Sequence, residues 1–519
     1  MPNRRDFFKT SAAAAAASVS ASAVQARADV PIHLWEGYDF GPGPDVPDRL
    51  NQGPFGLDDG VASWATIGYS SPGEHHVRNY GTGLIGYTWE EGGPARAVRA
   101  GRETLEQSVD KLSSLPFVDL LYIRCDWRDV QSSPGRLDLN PVWDLTLQAA
   151  RQRGLRVCFR VQLSNTVGQP DRLALPDFLR ERVPVVKGLN NGRPHYEPKY
   201  DHPEFMRAFR ELNELLAERF DRDPLVEFMD LMMYGFWGEG HSHDFPNPAS
   251  PYPVSEAVFS EITRLQLNAW TKVQLAANTQ PDSNQAGNRQ VVDMVVRDHG
   301  WLRSDSVIHD EPIQIERLSN RPPWCAVVME QGWRRDHDTD KIPVDEAGFN
   351  AKEKSMLLAL SMGANYWALW TEADNLAKYN EQWPGGITAL RKRLGWRVRP
   401  GWVWQRERWG RPELILGMVN DGVAGVPGVL RLSVESLDGS LRLSGCLDAG
   451  RPYAGDIRQA AFLLPESAWG QKMKLSGELI TRGGTVRPVN WSCAQQLLGD
   501  GSFPINLKEQ GGLRWGEVF

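Results

Sequence analysis

Between residues 82 and 395, short apolar runs alternate with amphipathic stretches, and each kind occurs eight times. The apolar runs are continuous, which is typical of strands with both faces covered, and the amphipathic stretches predict the covering helices. The predicted strands, numbered one to eight, are 82–90, 118–127, 156–163, 226–235, 273–278, 305–311, 325–333 and 364–370. The predicted helices are 102–115, 140–154, 202–220, 255–270, 288–300, 314–319, 345–363 and 385–395.

Eight strand–helix pairs in one region fit a (β/α)8 barrel with insertions. A doubly wound open sheet is the structural alternative. The count of eight and the absence of a GxGxxG turn favour the barrel. We therefore predict an α/β protein built on a (β/α)8 TIM barrel that spans residues 82–395.

The two flanks of the barrel region have a different texture. Residues 29–81 are rich in Gly, Pro and Asp without a clear period, which predicts an irregular segment packed on the barrel. Residues 396–519 contain short alternating runs separated by Gly, Asp and Asn, which predicts a β-sandwich accessory domain. Cys446 and Cys493 lie in that domain and are candidates for a disulfide.

The first 28 residues resemble a twin-arginine signal peptide. The pair Arg4-Arg5 precedes a weakly apolar Ala/Ser/Val run, and Ala26-Arg27-Ala28 matches a small-x-small cleavage site. This pattern implies export by the twin-arginine machinery to the periplasm or beyond the cell. No later run of eighteen apolar residues predicts a membrane span. A net charge of −7 without a long basic stripe makes nucleic acid an unexpected partner.

Barrel enzymes carry their chemistry at the carboxyl ends of the strands. Acids and aromatic residues dominate these positions here, and tryptophan faces stack on sugar rings while polar neighbours bind the hydroxyl groups. The candidate substrate-binding residues, in the order of strands two to eight, are Arg124, Trp127, Arg160, Tyr234, Trp237, Asn278, His309, Trp333 and Trp370.

Two glutamates, Glu239 and Glu330, stand at the ends of strands four and seven, which face each other across a barrel of eight strands. Glu239 leaves a buried run between two glycines, where a carboxyl group is partly dry and a sugar can approach the backbone. A protonated acid and an ionised carboxylate on either side of a sugar C1 are the equipment of glycoside hydrolysis. These two residues are therefore the predicted catalytic pair.

The barrel region resembles the enzymes of glycoside hydrolase clan A. The resemblance rests on the positions of Glu239 and Glu330, and on segment 126–161, where a strand end, a W…G turn, a helix and RGLRV follow one another. It implies a retaining hydrolase of a β-linked oligo- or polysaccharide without a cofactor, with Glu239 as acid/base and Glu330 as nucleophile. It further implies that Arg124 keeps the nucleophile ionised and that Trp370 lies under the sugar at subsite −1.

One position departs from the clan A pattern, because Gly238 stands where the family has an asparagine that binds the 2-hydroxyl of the substrate. Either another group, Asn278 or His309, takes that role, or Glu239 is not the acid/base. The departure also keeps open a carbohydrate-binding barrel that lacks catalysis.

Other interpretations of these residues also remain open. One alternative is a metal-dependent hydrolase or lyase, which would use His241 and His243. A separate alternative keeps the glycoside hydrolase but takes Glu311 or Glu372, in place of Glu330, as its nucleophile. Each candidate also has a structural interpretation, as a loop acid, a rim salt bridge or a packed tryptophan.

Overall fold

The computed structural model describes residues 54, 64–89, 93–165, 173–190, 193–241, 252–279, 288–307, 312–331, 351–382, 384–513 and 517–518. The predicted signal peptide of residues 1–28 lies outside these ranges, so export stays a prediction. Among the helices in the described ranges, none combines the length and the apolar character that a membrane crossing needs.

Eight parallel strands close into a barrel, and each strand pairs with its neighbours in chain order. Strand eight pairs with strand one through Tyr366 and Gly83, which completes the ring. This closure confirms the predicted fold class. Barrel strands one to eight are Gly83–Trp89, Leu120–Asp126, Arg156–Gln162, Val226–Asp230, Gln274–Asn278, Trp301–Val307, Val327–Gln331 and Tyr366–Leu369.

Strand six begins and ends four residues before its predicted position, since it covers Trp301–Val307 rather than 305–311. Its sequence, WLRSDSV, carries the charged residues Arg303 and Asp305. A strand whose charged side chains point into the barrel lacks the apolar run that the prediction required. The correction matters because it places both charged residues on a barrel strand rather than at its start.

Helices cover the barrel between the strands. Helix Leu105–Ser113 begins with a capping box, in which Thr104 and Gln107 exchange side-chain and backbone hydrogen bonds of 3.1 and 2.8 Å. Helix Val142–Arg153 ends at Gly154, whose φ of 64° is the left-handed conformation that glycine adopts freely. The remaining helices are Pro203–Phe220, Tyr252–Ala269, Asn288–Arg297, Pro312–Ser319, Ala351–Ser361 and Pro384–Arg393, with Arg96–Arg99, Asp177–Arg180 and Ala373–Gln382 beyond those predicted.

The barrel interior changes from apolar to charged along the strands, because alternate residues of each strand point inward. Phe228, Trp301 and Tyr366 pack together, with ring centroids 5.3–5.9 Å apart. Two residues further toward the carboxyl ends, Asp230 follows Phe228 and Arg303 follows Trp301. The buried charged layer therefore lies at the end of the barrel where barrel enzymes hold their sites.

Two further sheets lie mainly in the region after the barrel, and their residues share one apolar cluster. The first sheet includes Trp64–Tyr69, so the segment predicted to be irregular contributes a strand, WATIGY, whose β-branched and aromatic residues favour pairing. In spatial order this sheet is Ile457–Leu463, Arg411–Asn420, Val398–Arg408, Trp64–Tyr69 and Glu517–Val518. The second sheet is Arg442–Cys446, Val429–Ser436, Lys472–Ile480 and Val486–Val489, with Phe503–Asn506 also paired to Lys472–Ile480. A two-stranded hairpin, Val185–Asn190 with Arg193–Pro198, lies between strands three and four.

These sheets contact the barrel at its amino-terminal end. Arg482 pairs with Asp298, which precedes strand six, and Arg487 donates to the carbonyl of Pro224 (3.1 Å), which precedes strand four. The indole N–H of Trp396 donates to the carbonyl of a residue before strand one over 3.0 Å. The accessory sheets therefore dock away from the charged layer at the carboxyl ends.

All five cysteines are free thiols. Cys446 is exposed at the end of an edge strand. Cys493 is buried, and its Sγ lies 3.8 Å from the carbonyl oxygen of Gln495. The disulfide considered from the sequence is therefore wrong for this structure.

Candidate active site

The loop 235–241 carries Glu239 beyond the end of strand four in an unusual backbone conformation. Four of its residues have a positive φ, between 54° and 78°. A backbone hydrogen bond of 2.8 Å from Phe236 N to His241 O closes the loop. Left-handed backbone is costly for any residue but glycine, so a non-glycine in that region, Trp237, marks a strained turn of the kind found at functional sites. The four residues are Gly235, Trp237, Gly238 and Gly240.

Two glycines of this loop differ in what a side chain would meet. A Cβ at Gly235 would overlap the carbonyl oxygen of His241, whereas at Gly238 the nearest atom would lie 3.5 Å away. We expect Gly238→Ala to cost about 1–2 kcal/mol for its left-handed φ. Gly235→Ala should lower the melting temperature further and displace Glu239. Thermal unfolding followed by circular dichroism compares the two variants, and equal losses would contradict this account of the loop.

Glu239 and Glu330 meet at the carboxyl-terminal end of the barrel, together with a third acid, Asp305. One oxygen from each of the three carboxyl groups lies within 4.8 Å of the other two. The side chains belong to residues only 6%, 4% and 4% exposed. Three acids that are far apart in the sequence therefore share one small, dry volume.

Three buried arginines lie between these acids, and each arginine bridges two of them. Alternating cations and anions form a closed ring, hereafter the six-residue ring. Arg124 joins Glu239 to Glu330 (3.5 Å to the latter), Arg160 joins Glu239 (3.3 Å) to Asp305 (3.5 Å), and Arg303 joins Asp305 (2.5 Å) to Glu330.

A fourth acid, Asp230, supports the ring from strand four. Its carboxylate lies 3.3 Å from Arg160 and 3.2 Å from Arg303, and it accepts a 2.5 Å hydrogen bond from the hydroxyl of Tyr122. Arg303 also donates to the hydroxyl of Tyr87 over 3.1 Å. These contacts fix the guanidinium planes, which in turn fix the acids above them.

Burial and the arginines act in opposite directions on two of the acids. Burial raises the pKa of Glu330 well above its ordinary range, against the attraction of Arg303 and with the help of the neighbouring Asp305. Burial also raises the pKa of Asp305, but Arg303 and Arg160 outweigh it and hold that pKa well below its ordinary range. One oxygen of the Asp305 carboxyl group lies within 4.8 Å of one oxygen of the Glu330 carboxyl group.

Three carboxylate oxygens at this spacing are also the kind of set that holds a divalent cation. Here, however, a guanidinium already bridges each pair of acids and supplies the positive charge that a cation would bring. A cation would have to displace a buried arginine and leave it without its partner, which is costly. The donor set therefore fits an arginine-stabilised acid cluster.

The structure brings several predicted residues into or against the ring. Arg124 and Arg160 are members of it. Asn278 donates a 2.8 Å hydrogen bond to Asp305, and His241 Nε2 lies 3.1 Å from Glu239 Oε2. Asn278 is thus occupied by an acid of the ring rather than turned toward open space.

The predicted aromatic contacts divide into packed and partly exposed residues. Trp127 is fully buried between rings of helix Pro203–Phe220, and its indole N–H donates to Gln131 over 2.8 Å. Tyr234 is buried as well, stacked at 3.6 Å on Phe259. Packing encloses both rings, and their roles as substrate contacts stay predictions. Of the predicted tryptophans that the structure describes, Trp237 and Trp370 are partly exposed.

Four other predicted residues, His243, His309, Glu311 and Trp333, lie outside the described ranges. Glu372 is half-buried just before helix Ala373–Gln382, and among the described residues it forms no ion pair with the ring arginines.

Sequence reasoning missed Arg303, Asp305 and Asp230. Strand six, which carries Arg303 and Asp305, was predicted four residues too late, and strand four, which carries Asp230, was predicted five residues too long. The prediction therefore did not show that these side chains point into the barrel. The available signal was period two: Trp301, Arg303 and Asp305 alternate with smaller residues along one strand. A charged pair at that spacing on a barrel strand indicates a polar interior.

The sequence matches no family profile and no curated protein. Solved structures with a similar fold include the catalytic domain of β-amylase from Paenibacillus polymyxa, at 11% identity and a TM-score of 0.38, covering 57% of this chain and 94% of that one. A β-galactosidase from Rahnella sp. R3 matches at 12% identity and a TM-score of 0.39, covering 64% of this chain and 59% of that one. An endoglucanase from an uncultured bacterium matches at 10% identity and a TM-score of 0.37, covering 60% and 94%.

Proposed function

We propose that this protein is a glycoside hydrolase that cleaves a β-linked oligo- or polysaccharide with retention of configuration, using Glu239 and Glu330 as its catalytic pair. The observation that carries the proposal is the meeting of these two acids within 4.8 Å at the carboxyl-terminal end of a closed barrel. Retaining enzymes hold their two carboxyl groups about 5–5.5 Å apart and inverting enzymes about 6.5–9.5 Å. The short separation therefore favours the retaining reaction.

The surroundings of the pair support acid chemistry. Burial favours the protonated form of a carboxyl group, whereas an arginine favours the ionised form, so one small site can hold one acid in each state. Arg124 contacts both Glu239 and Glu330, so the charge of each acid acts on the other through one guanidinium.

Substrate binding falls to the residues around the ring. Trp237 and Trp370 are partly exposed and are proposed to stack against sugar rings. His309 and Trp333 follow strands six and seven in the sequence and remain proposed substrate contacts. We keep export through residues 1–28 as part of the proposal, since a polysaccharide substrate lies outside the cytoplasm.

A hydrolysis screen of the purified full-length chain tests the proposal. The panel contains 4-nitrophenyl β-D-glucoside, galactoside, mannoside and xyloside, together with β-glucan, β-mannan and xylan. The wild type should release sugar or nitrophenol from at least one of them, and Glu330→Gln and Glu239→Gln should each lose most of that turnover.

Two controls separate the alternatives. Glu372→Gln, at an acid beyond strand eight, should keep the wild-type rate, and loss of turnover there would move the nucleophile to position 372. A chelator should leave the rate unchanged, because the proposed chemistry uses no metal. Binding to a glycan by the wild type without turnover of any panel member would indicate a carbohydrate-binding barrel instead.

A further inference from the structure

The hairpin that joins strands Val398–Arg408 and Arg411–Asn420 of the first accessory sheet turns on two residues, Trp409 and Gly410. Both residues have a positive φ, 53° and 73°, which is the pattern of a type I′ turn. Asparagine followed by glycine is the preferred pair in such turns, because left-handed backbone is costly for a bulky residue. Trp409 therefore strains the turn that it occupies, and asparagine would relieve that strain.

The side chain of Trp409 faces solvent. The residue is 74% exposed, which is the highest value among the exposed large hydrophobic residues of the described chain. Burial of apolar surface therefore offsets little of the backbone strain. Strained residues of this kind are typical of functional sites, and the other tryptophan with a positive φ, Trp237, lies in the loop that carries Glu239. A tryptophan that is both strained and exposed points to a role outside folding.

A series of fixed contacts holds the indole of Trp409 in place. Glu413, which is buried, pairs with Arg406 and accepts a 3.0 Å hydrogen bond from Arg408. The guanidinium of Arg408 in turn lies over the ring of Trp409, 4.3 Å from its centroid. A cation at this distance attracts the face of an indole. The guanidinium covers one face of the ring, so the opposite face is the one that a ligand can reach.

A second tryptophan lies beside the turn. The indole N–H of Trp469 donates to the carbonyl oxygen of Gly410 over 3.2 Å, and Trp469 is itself partly exposed. Arg411, directly after the turn, is also partly exposed and donates to a backbone carbonyl over 2.8 Å. Trp409, Trp469, Arg408 and Arg411 are hereafter the tip cluster. It combines two indole rings with two guanidinium groups at the end of one hairpin.

The chemistry of the tip cluster fits a sugar better than it fits a protein surface. A pyranose has an apolar face with hydroxyl groups around its edge, so it can stack on one indole while charged neighbours bind the hydroxyls. A stable protein contact instead buries about 800 Å² on each partner, with apolar residues at its centre. Within residues 398–420, Trp409 is the one large apolar residue that is exposed, and a guanidinium lies on either side of the turn.

From these observations we propose that the tip cluster is a polysaccharide-binding site, in which the indole of Trp409 stacks on a pyranose ring. The site goes beyond the proposed hydrolysis, because it uses neither Glu239 nor Glu330.

The proposed site lies far from the carboxyl-terminal end of the barrel. Strand Val398–Arg408 begins two residues after Trp396, which bonds to the barrel region at its amino-terminal end. A strand of 11 residues spans about 35 Å, so the turn lies at the distant end of that strand. A sugar bound there is not a substrate in position for cleavage. Such a site holds the protein on a polymer and raises the local concentration of substrate at the barrel.

Affinity electrophoresis of the full-length chain tests the site. The native gels contain β-glucan, β-mannan or xylan, and the chain carries Glu330→Gln so that the polymers stay intact. At least one polysaccharide should retard this protein, and adding Trp409→Asn should raise the apparent Kd for it by at least about tenfold. Trp409→Phe keeps an aromatic face and should keep most of the binding. Retardation that Trp409→Asn leaves unchanged, or no retardation by any of the three polymers, would overturn the site.

The melting temperature and the oligomeric state separate a sugar site from a structural role of the ring. Trp409→Asn should melt at the same temperature as the wild type or higher, because asparagine suits the left-handed turn. Leu437→Asn is the matched control, at a residue 50% exposed in a hairpin of the second sheet, and should leave retardation as it is. A lower melting temperature of Trp409→Asn, or its conversion of a wild-type dimer to a monomer, would overturn the proposal.

Turnover of small substrates keeps this test apart from that of the proposed function. In the chain with Glu330 intact, Trp409→Asn should leave kcat/KM for 4-nitrophenyl β-glycosides unchanged, since these substrates do not reach from the barrel to the turn. Absence of turnover in the hydrolysis screen would overturn the proposed function alone, because retardation in the gels is measured without it. A fall in kcat/KM on the small glycosides would mean that Trp409 acts on the catalytic site, and would overturn a separate site.

Discussion

Glu330→Gln should lose activity on every aryl glycoside, whereas Glu239→Gln should lose activity mainly on those with poor leaving groups. A missing nucleophile stops formation of the glycosyl ester whatever the leaving group, with a loss of at least about 10⁴-fold in kcat. A missing general acid matters when the departing oxygen needs a proton, with a loss of about 10²–10⁴-fold for an alkoxide and little for 2,4-dinitrophenolate. Steady-state rates on a series of aryl β-glycosides of graded leaving-group pKa measure the difference.

Thermal unfolding of both variants serves as the control, since Gln is close to Glu in shape and the ring arginines keep one acid partner each. Both variants should stay folded at the assay temperature. The opposite pattern, with Glu330→Gln sensitive to the leaving group and Glu239→Gln inactive on all of them, would contradict the roles that the clan A resemblance implies. Equal, leaving-group-independent losses would mean that neither residue is the acid.

Arg303→Met should be the most destabilising single change in the barrel. Arg303 contacts Asp230, Asp305 and Glu330 and is itself fully buried. Removing one partner of a buried ion pair costs about 3–5 kcal/mol because the remaining charges stay uncompensated. The free energy of unfolding, measured by urea titration, should fall by at least that amount, and turnover should fall with it.

The loss in Arg303→Met should also grow with pH. Arg303 lowers the pKa values of Asp305 and Glu330, so its removal raises both of them in the folded state. A group whose folded pKa lies above its unfolded pKa contributes stability at low pH, and that contribution disappears as pH rises through the folded pKa. Urea titrations at pH 5, 6, 7 and 8 should therefore show the variant weakening relative to the wild type, and a difference that shrinks with pH would contradict the electrostatic account.

Arg399→Met offers a matched control for this change. Arg399 is as buried as Arg303 and pairs with Asp421 in the first accessory sheet, through contacts of 2.7 and 3.1 Å. It should cost stability in a similar way while leaving turnover unchanged. Activity lost equally in both variants would show that stability alone, rather than the ring, explains Arg303→Met.

The sequence contained enough to predict the barrel and the proximity of Glu239 and Glu330, whose catalytic roles stay a prediction. Seven of the eight strands follow apolar runs at their predicted positions, because a strand that is covered on both faces consists mainly of apolar residues. Glu239 and Glu330 followed from reading the residues at strand ends, and the side chains do meet.

Arg303 and Asp305 of the ring were not predicted, and the reason is their charge. Arg303 and Asp305 interrupt the apolar run of strand six, so a search for hydrophobic continuity passed over the strand that carries them. Oppositely charged residues that pair across a barrel belong to different strands, so no single segment of the sequence shows that they pair. Trp127 was ambiguous for another reason, since a tryptophan after a strand end packs as readily against a helix, as it does here, as against a sugar.

The configuration of the first sugar released tests the central claim most directly. Proton nuclear magnetic resonance during hydrolysis of a β-glycoside should show the β-anomer first, with the α-anomer appearing later by mutarotation. That result is required if two acids within 4.8 Å form and break a glycosyl ester. Release of the α-anomer first would mean direct attack by water, and would contradict the pairing of Glu239 with Glu330 as acid and nucleophile.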